Sequence, residues 1–88
     1  MDEEKILAFC RSLKNDEIML VIFRDELYGG SWDLMIDDLK ARLKKKPYIF
    51  NLMNKIESDI KRIKKMKNFE KKHNISLSDY VKNLKEGR

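Results

Sequence analysis

The chain has 88 residues, 40% of them charged, with a formal net charge of +5, one cysteine and one histidine. A chain this short has room for one small domain, which buries only about 60% of the surface that its unfolded form exposes. Cys10 has no second cysteine and His73 no second histidine, which excludes an intrachain disulfide and a zinc site as sources of stability. No motif specifies a chemistry, so we expect a non-enzymatic protein without metal or cofactor.

The predicted location is cytoplasmic. Asp2, Glu3 and Glu4 occupy the N-terminus, where a secretory signal peptide needs positive charge. The longest unbroken apolar run covers residues 18–23, far short of the about 20 residues that cross a bilayer. A lone cysteine also fits a reducing compartment. We therefore expect an intracellular protein with no membrane-spanning segment.

The first two predicted elements meet near residue 15. Asp2 is a good N-cap for a first helix, whose apolar residues recur at helical spacing. The second element covers residues 16–28, with six consecutive apolar residues, 18–23, at its centre. Such a run shows neither the period of a helix nor that of a strand, so a buried strand is the alternative. The long polar flanks favour a helix that is buried on most sides.

A third helix is predicted from Ser31 to Lys46. Gly29 or Gly30 closes the preceding helix, because glycine readily adopts positive φ at a helix C-terminus. Ser31 is a favourable N-cap for the third helix. The apolar residues of this helix form one continuous stripe, namely Trp32, Met35, Ile36, Leu39 and Leu43. Acidic residues near its start and basic residues near its end complement the helix dipole.

Pro47 is tolerated in the first turn of a helix and not in its interior, so it should begin a fourth helix that reaches about His73. Four apolar residues in this helix are spaced 3, 4 and 3 apart, as in a coiled-coil seam: Met53, Ile56, Ile60 and Ile63. We predict that this seam joins two copies in a homodimer, burying apolar area that one small monomer cannot cover. Ser76 and Asp79 read as a capping box before a short last helix that ends at Gly87.

These elements predict an all-α fold with a single domain over residues 1–88, a small bundle of about five helices dominated by the long helix at about 47–73. The two halves of the chain differ in the sign of their charge. Residues 1–39 carry ten acidic and four basic side chains, whereas residues 40–88 carry sixteen Lys and Arg and five acids. This asymmetry indicates a polyanion, or an acidic protein surface, as the partner.

The basic second half predicts contact with the backbone of DNA or RNA. Thirteen Lys and Arg in residues 40–72 oppose three acids, enough to neutralise several phosphates and release their counterions. Residues 47–55 are similar to the recognition helix of a helix-turn-helix protein, although no glycine or short turn precedes them. The predicted contact residues are Lys40, Arg42, Lys44, Lys45, Lys46, Tyr48, Asn51, Lys55, Arg62 and Lys65.

The same charges leave one other function open and disfavour a third. A small helical adaptor or inhibitor would bind a protein partner and use either charged half for steering. A basic helix on an anionic membrane is disfavoured, because the apolar face of the fourth helix has no interfacial tryptophan. The lysines could also be only solvated, or balanced in space by the acidic half. Whether the first half folds back onto the second therefore decides how strong the nucleic-acid prediction is.

Overall fold

The computed structural model describes residues 3–45 and 50–86, and these ranges contain five helices and no strand. The helices are α1 (Glu3–Ser12), α2 (Asn15–Leu27), α3 (Trp32–Lys44), α4 (Phe50–His73) and α5 (Leu77–Glu86). The predicted all-α bundle of five helices is confirmed, and residues 18–23 are helical rather than a strand. The predicted cap at Asp2, the helix start at Pro47 and the helix end at Gly87 lie outside the described residues.

The connection between α2 and α3 follows from its two glycines. Gly29 and Gly30 have φ values of 61° and 83°, in the left-handed region that favours glycine. The Gly30 N–H donates to the Arg24 carbonyl at 3.0 Å, which satisfies a carbonyl at the end of α2. Ser31 then caps α3 as predicted, because its Oγ accepts from the Leu34 N–H at 3.2 Å.

The hydrophobic core draws residues from all five helices. Its buried members are Cys10, Leu13, Leu20, Val21, Trp32, Met35, Ile36, Ile63, Met66, Leu77 and Val81. Helix α4 packs against α3 and α2, while α5 packs against α2. Within the described ranges, no helix is both long enough and apolar enough to cross a bilayer.

The predicted dimer seam lies largely inside the single chain. Ile56, Ile60 and Ile63 are buried without a second copy, and Ile63 has no exposed surface. Met53 is half-buried. The reasoning that one small chain cannot cover this stripe was therefore wrong, because α2 and α3 supply the cover. The homodimer stays a prediction, but it needs another surface.

A buried polar cluster links α2, α3, α4 and the start of α5. Arg24, only 3% exposed, donates from Nη1 to both carboxylate oxygens of Glu70, at 2.9 Å each. Trp32 donates from Nε1 to Glu70 Oε1 at 2.7 Å, and the Arg24 guanidinium lies 4.3 Å from the centroid of the Trp32 ring. The Leu77 N–H donates to Glu70 Oε2 at 2.7 Å, and Arg24 Nη2 donates to Ser78 Oγ. One carboxylate of α4 thus organises three neighbouring elements.

This cluster changes the predicted start of α5. Ser76 Oγ accepts from the Ser78 N–H at 3.2 Å, and the Asp79 N–H donates to the Ser76 carbonyl at 3.3 Å. The first N–H of the helix, that of Leu77, is instead satisfied by Glu70 from the preceding helix. The predicted reciprocal box between Ser76 and Asp79 is therefore replaced by a cap that comes from α4.

Candidate nucleic-acid interface

The predicted contact residues that the structure describes lie in the second half of α3, at its C-terminal cap and along α4. Most of them are exposed to solvent: Lys40, Arg42, Lys44, Lys45, Asn51, Lys55 and Lys65. Arg62 is half-buried. Lys46 and Tyr48 lie outside the described residues. Of the predicted recognition helix at 47–55, the structure therefore describes only residues 50–55.

In the described part of the chain, two acids of the first half form ion pairs with lysines of α4. Lys65 Nζ lies 3.0 Å from Glu17 Oε2, and this pair joins α4 to the first turn of α2. Lys67 forms an ion pair with Asp33 in the first turn of α3. Both acids come from residues 1–39, so part of the positive charge of α4 is balanced within the chain.

Other predicted contact residues pair with acids close to them in sequence. Lys55 lies 2.8 Å from Asp59 one helical turn later, and Arg62 lies 3.3 Å from the same carboxylate. Arg42 lies 3.4 Å from Asp38, one turn earlier in α3. Of the eight predicted residues that the structure describes, these three and Lys65 are therefore in ion pairs. A phosphate would have to compete with a carboxylate for each of them.

Five of the remaining lysines define a narrower surface, which we call the basic face: Lys40, Lys44, Lys61, Lys64 and Lys71. All five are exposed, and none forms an ion pair within the described residues. Lys40 and Lys64 line one shallow depression between α3 and α4, and Lys61 and Lys64 line the next. Lys44 follows Lys40 by one turn of α3, so the two lie on the same side of that helix. Lys71 follows Lys64 by about two turns of α4, so these two also share one side of their helix.

Carboxylates border this face without closing it. Asp33 and Asp37 line the same depression as Lys40 and Lys64, and Glu57 lies beside Lys61. Asp37 and Glu57 are exposed and have no ion-pair partner in the part of the chain that the structure describes. The basic face is therefore positive at its centre, and carboxylates reduce its positive charge at the edges.

Three members of the basic face were absent from the predicted contact residues. Lys61 and Lys64 directly follow the buried Ile60 and Ile63, so each lies about 100° around the helix from the core. Lys71 directly follows Glu70, which points into the polar cluster. Phasing the lysines against the apolar stripe of α4 was the signal that could have found them.

Glu17 is the best-buried carboxylate at this surface. Its Oε1 accepts from the Lys14 N–H at 2.9 Å, and its Oε2 pairs with Lys65. Burial works to raise the pKa of Glu17, but the Lys14 hydrogen bond and the Lys65 ammonium together outweigh burial, so its pKa lies below the ordinary value. The folded state therefore prefers the ionised carboxylate, which adds stability above the pKa of the unfolded chain.

That preference predicts an acid-sensitive contribution to stability. The contribution is lost as pH falls through the lowered folded-state pKa, so Glu17→Gln should lower the free energy of unfolding by about 1–2 kcal/mol at neutral pH and by less in acid. Thermal unfolding followed by circular dichroism at about pH 7 and about pH 3 measures the difference. Glu57→Gln is the matched control, since that carboxylate is exposed and unpaired. An equal loss at both pH values would contradict the prediction.

The single cysteine is buried, and the single histidine is half-buried at the end of α4. Cys10 is buried in the core, and burial raises the pKa of its thiol, which disfavours the reactive thiolate. His73 ends α4, with its ring tilted against Phe69 at 4.3 Å between centroids. Among the described residues, no group of three or more His, Cys, Asp or Glu is placed to hold a metal ion.

A second surface feature is an apolar groove along α2, which is less covered than the sequence predicts. Met19, Phe23 and Leu27 are 44%, 41% and 69% exposed. They border a cavity of about 440 Å³ whose other side is formed by apolar residues of α3, including Met35 and Leu39. Four charged residues also line this groove: Asp16, Arg42, Lys55 and Asp59.

Comparisons of the chain with protein-family models, curated proteins and solved structures find no match. Its function must therefore be argued from these two surfaces.

Proposed function

We propose that this protein binds nucleic acid without catalysis, contacting the phosphate backbone through the basic face. The observation that carries the proposal is a set of five exposed lysines on neighbouring helices that have no ion-pair partner within the described residues. Binding phosphates with such side chains releases condensed counterions without breaking pairs inside the protein. A cytoplasmic location, where the unpaired thiol of Cys10 stays reduced, belongs to the same proposal.

The chemistry of the face favours contact with phosphates over the reading of bases. Lysine presents a mobile point charge, which suits a phosphate oxygen but lacks the planar fork with which arginine reads guanine. The arginines of the region, Arg42 and Arg62, are held by Asp38 and Asp59. Binding should therefore depend strongly on salt and weakly on sequence.

A triple substitution tests the proposal. Lys61→Ala, Lys64→Ala and Lys71→Ala together should lower the salt dependence of binding by about three units of slope and weaken binding similarly for unrelated sequences. Fluorescence anisotropy with labelled duplex DNA, single-stranded DNA and RNA, each titrated over a range of salt, measures the slope and separates DNA from RNA.

The matched control removes three lysines that are already paired, in the variant Lys55→Ala, Lys65→Ala and Lys67→Ala. Both variants lose the same formal charge, so a long-range effect of net charge would weaken them equally. The proposal requires a clearly larger loss for the basic-face variant. Equal losses in the two variants, or an unchanged affinity in both, would overturn it.

The apolar groove supports a second candidate function, that of a small helical adaptor that binds a protein partner. Exposed apolar stripes of this kind commonly mark protein interfaces. The two functions separate in one experiment: nucleic acid that co-purifies and is released by high salt favours the first. A protein partner that survives nuclease treatment and is lost in Phe23→Glu favours the second.

A further inference from the structure

Helix α2 has one apolar face that the described residues, 3–45 and 50–86, leave exposed. Leu20 and Val21 are buried, whereas Met19, Phe23 and Leu27 form an exposed stripe at i, i+4 and i+8. The stripe is about 12 Å long at about 1.5 Å per residue. A helix that is apolar on nearly all sides is typical of one that is buried on all sides.

We propose that a second copy of this chain covers the stripe, so that two α2 helices pack antiparallel in a symmetric dimer. The stripe is itself symmetrical about Phe23, with one apolar residue four positions before it and one four positions after it. A twofold axis near Phe23 places Met19 of one copy against Leu27 of the partner subunit, and the reverse. The same three residues thus serve both sides of the interface.

The charges around the groove favour a second copy over other occupants. Asp16 and Asp59 are acidic, Arg42 and Lys55 are basic, and all four line the groove. Lys55 pairs with Asp59 and Arg42 with Asp38 inside the chain, so the groove carries no net charge. An apolar groove without net charge matches a second copy of the same surface, whereas a polyanion needs a surface with net positive charge. The groove is therefore distinct in chemistry from the basic face.

The dimer leaves the basic face open. Asp59 faces the groove, and Lys61 follows it by two residues, about 200° around α4. Lys64 follows Asp59 by five residues, about 140° around in net rotation. Both copies would then present their lysines away from the shared interface. The inference does not rest on nucleic-acid binding, since the groove and the basic face share no residue.

Sedimentation velocity tests the dimer with a pair of matched variants. Wild-type protein should pass from monomer to dimer between about 1 µM and about 1 mM, the range in which a dimer of modest affinity forms. Phe23→Glu should remain monomeric throughout. Leu34→Glu makes the same change at a residue of α3 that is 58% exposed and lies outside the groove, so it should dimerise like wild type. Circular dichroism of each variant reports whether it folds.

A second measurement avoids the burial of a charge. Phe23→Cys should form a disulfide-linked dimer under mild oxidation, while Leu34→Cys should not, and Cys10 stays unreactive because it is buried. A wild-type monomer at every concentration would overturn the proposal and leave the groove to a different protein. Equal behaviour of the Phe23 and Leu34 variants would also overturn it. Neither result bears on the lysine variants, so the two proposals fail separately.

Discussion

Replacing Glu70 by glutamine should lower the free energy of unfolding by about 3–5 kcal/mol, because it removes the counter-charge of a buried arginine. Arg24 is 3% exposed and donates twice to Glu70, at 2.9 Å. Glutamine keeps the size of the side chain and still offers an oxygen to Trp32 Nε1 or the Leu77 N–H, so the loss reports mainly on charge. Urea unfolding followed by circular dichroism measures it.

Asp25→Asn is the matched control for this prediction. Asp25 also pairs with Arg24, with its Oδ1 3.0 Å from Nε, but its side chain is 36% exposed. An exposed partner contributes little, so its loss should cost about 0–1 kcal/mol. If Glu70→Gln cost no more than Asp25→Asn, Glu70 would not be the group that neutralises Arg24.

A double variant separates charge from packing. Arg24→Met combined with Glu70→Gln leaves no buried charge in this cluster to neutralise, so it should be more stable than Glu70→Gln alone. The recovery should be incomplete, since Ser78 loses the donor Nη2 and Trp32 loses the guanidinium that lies over its ring. A double variant less stable than either single variant would contradict this explanation of the cluster.

Local patterns in the sequence were sufficient for the helices but not for this cluster. The stripe that begins at Trp32, the cap at Ser31 and the glycine pair each depend on neighbours within a few residues, and the structure has them as predicted. Arg24 and Glu70 are 46 residues apart. In a periodic pattern both are simply polar residues, and only the packing of α2 against α4 makes them partners.

The same distinction between local pattern and packing applies to the candidate interface. The sequence indicates an excess of positive charge after residue 39, but ion pairs such as Lys65 with Glu17 depend on which helices become neighbours. The positions of the lysines and acids along the sequence therefore do not predict which lysines form ion pairs in the folded chain. For Lys61 and Lys64, by contrast, the spacing from the apolar residues Ile60 and Ile63 in the sequence already predicts a position away from the core side of α4.

The spacing of α4 also shows why a coiled-coil pattern does not determine its partner. Residues spaced 3 and 4 apart place apolar side chains on one face of a helix, and that face is equally suited to helices of the same chain or of another. Here α2 and α3 of the same chain pack against α4 and cover it. The sequence predicts that Ile56, Ile60 and Ile63 are buried, and they are, but the pattern does not tell which helices cover them.

Ile63→Ala follows from that distinction and has the second-largest expected effect. Ile63 has no exposed surface, so truncation should leave a cavity and lower the free energy of unfolding by about 2–5 kcal/mol. Leu34→Ala removes a similar volume from an exposed site and should change stability by about 0.5 kcal/mol or less. Urea unfolding of both variants measures the contrast.

The same variant separates a core from a dimer seam. Because the side chains that cover Ile63 belong to its own chain, Ile63→Ala should weaken folding and leave the native sedimentation profile as it is in wild type. A residue at a dimer seam behaves in the opposite way, since its truncation shifts the monomer–dimer equilibrium first. A variant that sediments as monomer where wild type is dimeric, with an unchanged urea midpoint, would return Ile63 to the interface between copies.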